Sequence, residues 1–528
     1  MTAARLARVA LYAAIGSATA AIRFLGLTGF SNDHYVALAG AQEMLFGEWP
    51  TRDFLDPGLP LMYAASAAAQ VVFGRTLFAE AVLVSVAFGL AAVFTAAAVR
   101  QLTGSTIAGV IGALFEVAAF PLTYSYPKTL LYAAAPLLIW WYVRRPTLPR
   151  VATLAVFVAV SFLFRHDHGV YLGSGAAVAV ALASGEGLHR RASSRLALLV
   201  ALVALALLPY AVFVAAHGGL VAYVERGIDF TAAETERTAL VTPTFGATVG
   251  LERNSVAFLY YLFLALPAAA AVVLAALRDD QFRSTAARVA PIIVIAALAN
   301  HGFLRETLSD RLADAIVPAV LLASWLAVAV RMAPPRPMAG IAAAVIAMSA
   351  VAVAQAGNTT EHLNRASLFG GLGRLPERFR ARSAELHDRF APRQMPAGPV
   401  RVLMPVFEYL DRCTTTEHRL LLAGFIPEVG VYARRMFAGG RTSFFPGAYR
   451  TASDDAFMQE RLARETIAAA MIPSSYAGSM SPTLKGFISA HFEPVASYPF
   501  RDDGVEVLLN RELKATGRDP VTGWSCFR

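Results

Sequence analysis

The sequence predicts a polytopic α-helical membrane domain followed by a small α/β domain, and three observations carry that expectation. Hydrophobic residues make up 56% of the 528 positions and charged residues only 16%, against about 45–50% and about 25% in an average soluble domain. Mean hydropathy is +0.52. The excess lies in long Ala/Val/Leu/Phe runs that fill the chain to about residue 355 and then thin out. This composition excludes a soluble globular enzyme, a disordered chain and a fibrous protein.

Apolar segments at roughly 9–27, 78–99, 105–124, 128–143, 151–164, 170–184, 196–216, 255–277, 289–304, 311–330 and 338–354 are candidate spans, since about 20 residues at 1.5 Å each cross a ~30 Å core. A twelfth stretch, 59–74, is settled by charge. With Arg5 and Arg8 inside and 59–74 uncounted, the clusters at Arg100, Arg144/Arg145/Arg150, Arg190/Arg191/Arg195, Arg278/Arg283/Arg288 and Arg331/Arg336 all fall on the cytoplasmic side, as positive residues should. Counting 59–74 as a span reverses every one of them. The stretch is therefore expected to lie in or dip into the outer leaflet. Eleven spans follow, with the N-terminus inside, uncleaved, and the tail outside.

The net charge of +9 is almost wholly arginine, with lysine only at Lys128, Lys485 and Lys514. Together with the abundant alanine this points to a GC-rich bacterial genome and an inner-membrane location. Arginines in loops fix topology and meet anionic lipids, and nothing resembles a nucleic-acid patch. The expected organisation is a membrane domain over 1–355 with a first outer loop at 28–77, a linker over 356–398 and a soluble extracytoplasmic domain over 399–528. In that last part, Arg419–Phe425, Thr466–Ile472, Ala490–Tyr498 and Val505–Asn510 read as strands. Asp454–Arg464 and Pro482–Ile488 read as helices. Cys413 and Cys526, the two cysteines, are a candidate disulfide if the tail meets an oxidising compartment.

The first outer loop carries the most informative pattern. Phe30-Ser-Asn-Asp33-His34-Tyr35 opens an amphipathic run to Phe46. Gly47-Glu-Trp-Pro50-Thr-Arg-Asp53-Phe-Leu-Asp56-Pro-Gly-Leu-Pro60 follows, leading an apolar stretch that ends at Phe73-Gly74. This resembles the first extracytoplasmic loop of the GT-C superfamily of integral-membrane glycosyltransferases, whose relatives include protein O-mannosyltransferases and lipid A aminoarabinose transferases. The resemblance implies a GT-C fold and an inverting transfer of sugar from a polyprenyl phosphate to an acceptor hydroxyl of a glycan, lipid or protein. It makes Asp33 the catalytic base, and no cofactor is expected, with metal dependence left open. A hydroxyl attacking an anomeric carbon must lose its proton as the bond forms, so a positioned carboxylate belongs there. Asp33 also suits the opening of the helix that follows, and both roles can hold. Many relatives carry a second acid after the first. Here the neighbour is His34, which weakens any metal-site inference.

The departing phosphate needs cations or N–H groups. Arg305, in Arg305-Glu306-Thr-Leu-Ser-Asp310-Arg311, is the preferred phosphate ligand by the same resemblance, then Arg165, then Lys128. A guanidinium can donate two bonds to one phosphate; for Lys128 and for the Arg305 segment, snorkelling to headgroups is the alternative. Arg165-His166-Asp167-His168-Gly169 places an arginine on the outer side against the charge rule, so Arg165, Asp167 and His168 are substrate-binding candidates. The alternative is an Arg–Asp pair closing a helical hairpin with Gly169 as its turn. The alternating His-Asp-His falls short of a metal site. Asp53 and Asp56 are candidates for orienting acceptor or sugar, with turn formation beside Pro57-Gly58 as the competing role. Asp310 and Arg311 complete the set. Glu116, alone in an apolar span, and the amphipathic loop 217–254, a candidate lid, are secondary features. The tail's Ala438-Gly439-Gly440-Arg441 lacks a Walker lysine and is not a nucleotide site.

Two rivals remain. A transporter predicts inverted repeats and ionisable groups near the bilayer midplane, whereas these spans look almost free of charge. A non-catalytic GT-C-fold scaffold for envelope glycan assembly predicts loss of the loop acid, and Asp33 is present.

Overall fold

The computed structural model describes residues 3–27, 29–183, 189–237, 242–277, 279–303, 308–331, 336–368, 371–388, 399–442, 444, 451–500 and 503–528. In chain order the helices begin with α1 (Ala3–Leu25), α2 (Asn32–Leu45), α3 (Pro60–Phe73), α4 (Leu77–Thr103), α5 (Thr106–Ala119), α6 (Tyr126–Arg144) and α7 (Leu148–Phe164). They continue with α8 (His166–Leu182), α9 (His189–His217), α10 (Leu220–Arg237), α11 (Leu251–Ala275), α12 (Asp279–Phe303), α13 (Leu308–Arg331) and α14 (Arg336–Ala356). Each of the eleven apolar segments read from the sequence is one of these helices. Among the described residues, six of them are long and apolar enough to cross a membrane: α1, α4, α9, α11, α12 and α13. The protein is a multi-pass membrane protein. The stretch at 59–74 is the 14-residue α3, whose Pro60 occupies the first turn, where its missing N–H costs nothing.

The chain forms two compact units. The first holds Met1–Leu27, Val82–Pro209 and Thr238–Arg378; the second holds Thr28–Ala81, Tyr210–Arg237 and Phe379–Arg528. Thus the first outer loop and α10 belong to the same unit as the tail.

The first unit is a helical bundle held by small residues at its crossings, as expected where lipid supplies no hydrophobic drive between helices. A Cβ on Gly89 of α4 would come within 2.6 Å of the Gly16 carbonyl of α1, and one on Gly109 of α5 within 2.6 Å of the Ala96 carbonyl of α4. On α8, Gly175 abuts Ile295 of α12. Gly169 is not the turn of the α7–α8 hairpin. The turn is made by Arg165 in extended conformation, and Gly169 lies inside the first turn of α8, where a Cβ would sit 2.2 Å from Phe162 Cα. Glu116 is buried in α5, in the field of Arg23. That guanidinium lies 3.9 and 3.8 Å from the Phe88 and Phe120 ring centres and donates to the Pro121 carbonyl at 2.8 Å.

The stretch expected to be a linker contains α15 (Thr359–Arg365) and α16 (Leu375–His387); its last part, 389–398, lies outside the described residues. Next come α17 (Met404–Cys413), β1 (Arg419–Leu422), α18 (Pro427–Ala433), α19 (Ala452–Arg464), β2 (Ile467–Pro473), α20 (Ser474–Ala477), α21 (Pro482–His491), β3 (Phe492–Phe500), β4 (Asp503–Asn510), β5 (Gly517–Arg518) and β6 (Ser525–Cys526). All four expected strands and both expected helices are present, with ends shifted by a few residues. The main sheet runs β1-β2-β4-β3, with β1 and β2 parallel and the other pairs antiparallel. Central β2 is buried throughout, which explains its unbroken Ile-Ala-Ala-Ala-Met-Ile run. Cys413 and Cys526 form a disulfide across 113 residues.

Gly169→Ala should lower stability by about 1–3 kcal/mol, the usual cost of overpacking. Gly227→Ala on α10, where an added Cβ meets nothing within 4 Å, should raise it by about 0.5–1 kcal/mol through lost unfolded-state freedom. Thermal unfolding in detergent distinguishes the two.

Candidate functional site

In the second unit, the loop helix α2 is fixed from both ends. Ser31 precedes it and Asp33 is its second residue, so Asp33 is not the cap but sits where a carboxylate meets the positive helix end. Asp33 is exposed while its neighbour His34 is fully buried, because successive helical side chains point about 100° apart. His34 Nε2 lies 2.7 Å from Glu80 Oε1, which also accepts from Ser66 Oγ at 3.0 Å. The Phe30 ring lies 4.5 Å from the imidazole. His34 is therefore an anchor for the start of α2.

The C-terminal half of α2 is held by the tail. Gln42 donates to the Gly430 and Arg435 carbonyls at 3.1 and 2.8 Å, and Tyr35 and Tyr432 share a hydroxyl contact. Beside them, Glu48 accepts from both Arg419 and Arg461, the latter at 2.9 and 3.0 Å. Arg461 also lies 2.6 Å from Glu465, and Glu43 takes the Phe437 N–H at 3.0 Å. Burial, reinforced by the charge on Glu48, pushes the Glu43 carboxyl well up, so it is the neutral member of the group. Burial opposes ionisation of Glu48 as well, but the hydrogen bonds from Arg419 and Arg461 overcome it and hold Glu48 below its ordinary value. None of these five residues stood out in the sequence, where each is an ordinary surface charge.

Asp56 is 1% exposed. One oxygen takes the Gly58 and Leu59 N–H groups at 2.9 and 2.8 Å, which opens α3, and the other accepts from Tyr210 and Tyr223 at 3.2 and 3.1 Å. All its acceptor positions are filled within the unit. Asp53 takes the Trp49 N–H at 2.8 Å and pairs with Arg52. Gly439 and Gly440, both at positive φ, serve close packing. A Cβ on Gly440 would meet Phe457 at 2.5 Å, and the Gly440 carbonyl accepts from Leu55 N–H. Helix α10, expected as a lid, is a structural member of this unit: buried Arg226 pairs with Asp454 at 2.8 Å. Glu234, Glu236 and Arg237 of that loop have no described side chains.

In the first unit, three of the candidates, Lys128, Arg311 and His168, meet around a residue the sequence reading did not single out, and Arg165 and Asp167 adjoin them. Asp314 of α13 is 2% exposed and Lys128 of α6 is 3% exposed, with Nζ 3.0 Å from Asp314 Oδ1. Lys128 does not snorkel. Arg311 lies 3.6 Å from the same carboxylate and His168 Nε2 3.8 Å from it. His168 Nδ1 is bonded to the Tyr132 hydroxyl at 2.5 Å, and Nε2 is buried with no hydrogen-bond partner among the described residues. Arg165 pairs with Asp167 at 2.9 Å, as the hairpin alternative required, and Asp167 also lies 3.8 Å from His168 Nε2. Asp314 was legible as a lone carboxylate in Leu-Ala-Asp-Ala-Ile-Val, which makes the spans less free of charge than they look. Arg305 and Glu306 lie outside the described residues, and so does the side chain of Asp310. Among the described residues no group of three His, Cys, Asp or Glu side chains is arranged to hold a metal ion.

No protein-family model matches the chain, and no curated protein does. Among solved structures it is similar to ArnT from Cupriavidus metallidurans bound to undecaprenyl phosphate, at 15% identity and a TM-score of 0.49, covering 94% of this chain and 97% of that one. It is also similar to the same protein in the apo state, at 15% identity and a TM-score of 0.48, covering 96% and 98%.

Glu48→Gln should destabilise the second unit by about 3–5 kcal/mol, since it strips two buried guanidinium groups of their shared anion. Glu43→Gln should cost less than about 1 kcal/mol, because glutamine copies a carboxyl that is already neutral. The sign of the pH effect follows from the depressed Glu48: its contribution is complete above the ordinary glutamate value of 4.5 and is lost as the pH falls through the lowered one. Thermal midpoints measured between about pH 3 and pH 6 should therefore drop on acidification in the wild type and far less in Glu48→Gln.

Proposed function

We propose that this chain is a GT-C glycosyltransferase that moves a sugar from a polyprenyl-phosphate donor to an acceptor hydroxyl, with inversion and with Asp33 as base. The observation that carries the reading is the division between Asp33 and His34. The acid of the loop motif is open to solvent at the start of α2, while the next residue is locked inside by Glu80. A carboxylate used only for folding has no need of so firm a mounting. In the reaction the acceptor hydroxyl attacks the anomeric carbon, the C–O bond to phosphate breaks, the hydroxyl proton passes to Asp33, and the polyprenyl phosphate leaves with the electron pair. Inversion follows from attack opposite the leaving group.

The second requirement is an anion site, and the first unit supplies its chemistry in Lys128, Arg165 and Arg311. His168 Nε2 adds a hydrogen-bonding group that its surroundings leave unused. Arg305 remains the preferred phosphate ligand of the loop it belongs to. Asp53 and Asp56 are assigned to the frame of the loop rather than to substrate, since their oxygens are taken up by N–H, guanidinium and hydroxyl groups of their own unit. We place the N-terminus in the cytoplasm and the tail outside it. The Cys413–Cys526 disulfide supports this orientation, because such bonds persist in oxidising compartments. The domain limits of 1–355 and 399–528 belong to the same proposal.

The test is transfer in reconstituted membranes from a panel of radiolabelled polyprenyl-phosphate sugars. Asp33→Asn, with folding confirmed by its thermal midpoint, should lose about 10²–10⁴ in rate, the usual share of a general base. Asp56→Asn should instead fail in stability. Equal transfer by wild type and Asp33→Asn removes Asp33 as base.

A further inference from the structure

Within the first unit, the geometry points to Asp314 as the residue that keeps Lys128 charged and aimed at an anionic ligand, a positioning residue rather than a catalytic one. The inference rests on the phosphate-site reading and deepens it. Lys128 is buried, and an ammonium removed from water becomes a neutral amine unless a partner stays close. Asp314 supplies that partner at 3.0 Å and is itself buried. It also stands between Lys128 and Arg311, contacting both. Without it the two like charges would face each other, and only lysine can relieve the repulsion by losing its proton, because a guanidinium does not.

The remaining groups around Lys128 do not replace Asp314. Tyr124 offers its ring face at 5.5 Å. From the α7–α8 turn, Asp167 is engaged by Arg165, which is a further cation. His168 touches Tyr132 through Nδ1 and lies 3.8 Å from both Asp167 and Asp314. Among the described residues, Asp314 is thus the carboxylate in salt-bridge contact with the lysine. A phosphate oxygen arriving at Lys128 would then meet an ammonium already formed and held, with no proton to be taken up on binding.

The experiment is binding of a polyprenyl methyl phosphodiester, whose single negative charge is constant with pH, to the full-length protein in detergent between about pH 5.5 and pH 8.5, a range set by the scale of lysine shifts on burial. The wild type should bind with little pH dependence. Asp314→Asn should bind about tenfold more weakly at pH 7.5 and recover toward wild-type affinity on acidification, as the lysine regains its proton. The double variant Asp314→Asn/Lys128→Arg, whose cation cannot deprotonate, should lose that pH dependence. Thermal midpoints taken in parallel show that each variant is folded. Wild-type behaviour of Asp314→Asn at every pH overturns the proposal, and so does a loss that is uniform across pH. A pH dependence that persists in the double variant assigns the titration to His168 and also overturns it. A wild type that binds no phosphodiester removes the phosphate-site reading and this role with it.

Discussion

The second unit depends on one shared anion. Glu48, in the first loop, accepts from Arg419 of β1 and Arg461 of α19, residues more than 370 positions further along the chain. Two almost wholly buried guanidinium groups converge on it, and without it Glu465 would be left to balance both, at a cost of several kcal/mol for a buried charge left short of its partner. Everything else in the unit follows that pairing. Glu43 stays neutral beside it, Glu465 completes the far side of Arg461, and the Gly439–Gly440 turn packs its backbone against Phe457 and Leu55. Helix α2 is thereby fixed along its length, from the His34–Glu80 contact at its start to Gln42 and Glu48 near its end.

The consequence for chemistry is placement. Loops carry function when a rigid frame holds them, and here the frame is the tail. Asp33 takes its fixed place at the start of α2 from the anchoring of His34, Gln42 and Glu48. Asp56 illustrates the same economy: a carboxylate that looks like a substrate ligand opens α3 and ties it to two tyrosines.

The first unit answers a different constraint. A charge among membrane helices must bring its partner, and Lys128, Asp314, Arg311, Arg165 and Asp167 satisfy one another across α6, α8 and α13. A cluster of this kind is costly to maintain and has no evident structural need in a bundle already closed by glycine contacts. That is the physical reason to look for an anion there. A transporter reading asks for ionisable groups at the midplane and for inverted repeats. The sequence shows no internal repeat of fixed period, so the cluster alone does not favour it.

Much of this was legible in the sequence because it depends on short-range pattern. Apolar runs bounded by arginines gave eleven of the helices, and the tertiary structure puts the Pro-led 59–74 stretch in the other unit. The tail's four strands were visible because alternating or unbroken apolar runs report burial directly. Asp33 was singled out only through the resemblance of the first loop, and its role there remains a proposal. What the tertiary structure alone decided is who meets whom. Glu48 and Arg461 look like solvent-facing charges until the fold removes their water. Asp314 is one carboxylate in an apolar run until α6 brings Lys128 within 3.0 Å, and Gly169 passes for a turn residue until α7 is packed against it. Local pattern fixes which face of an element is buried, but the partner of a buried charge is chosen by contacts hundreds of residues apart, which no local pattern encodes.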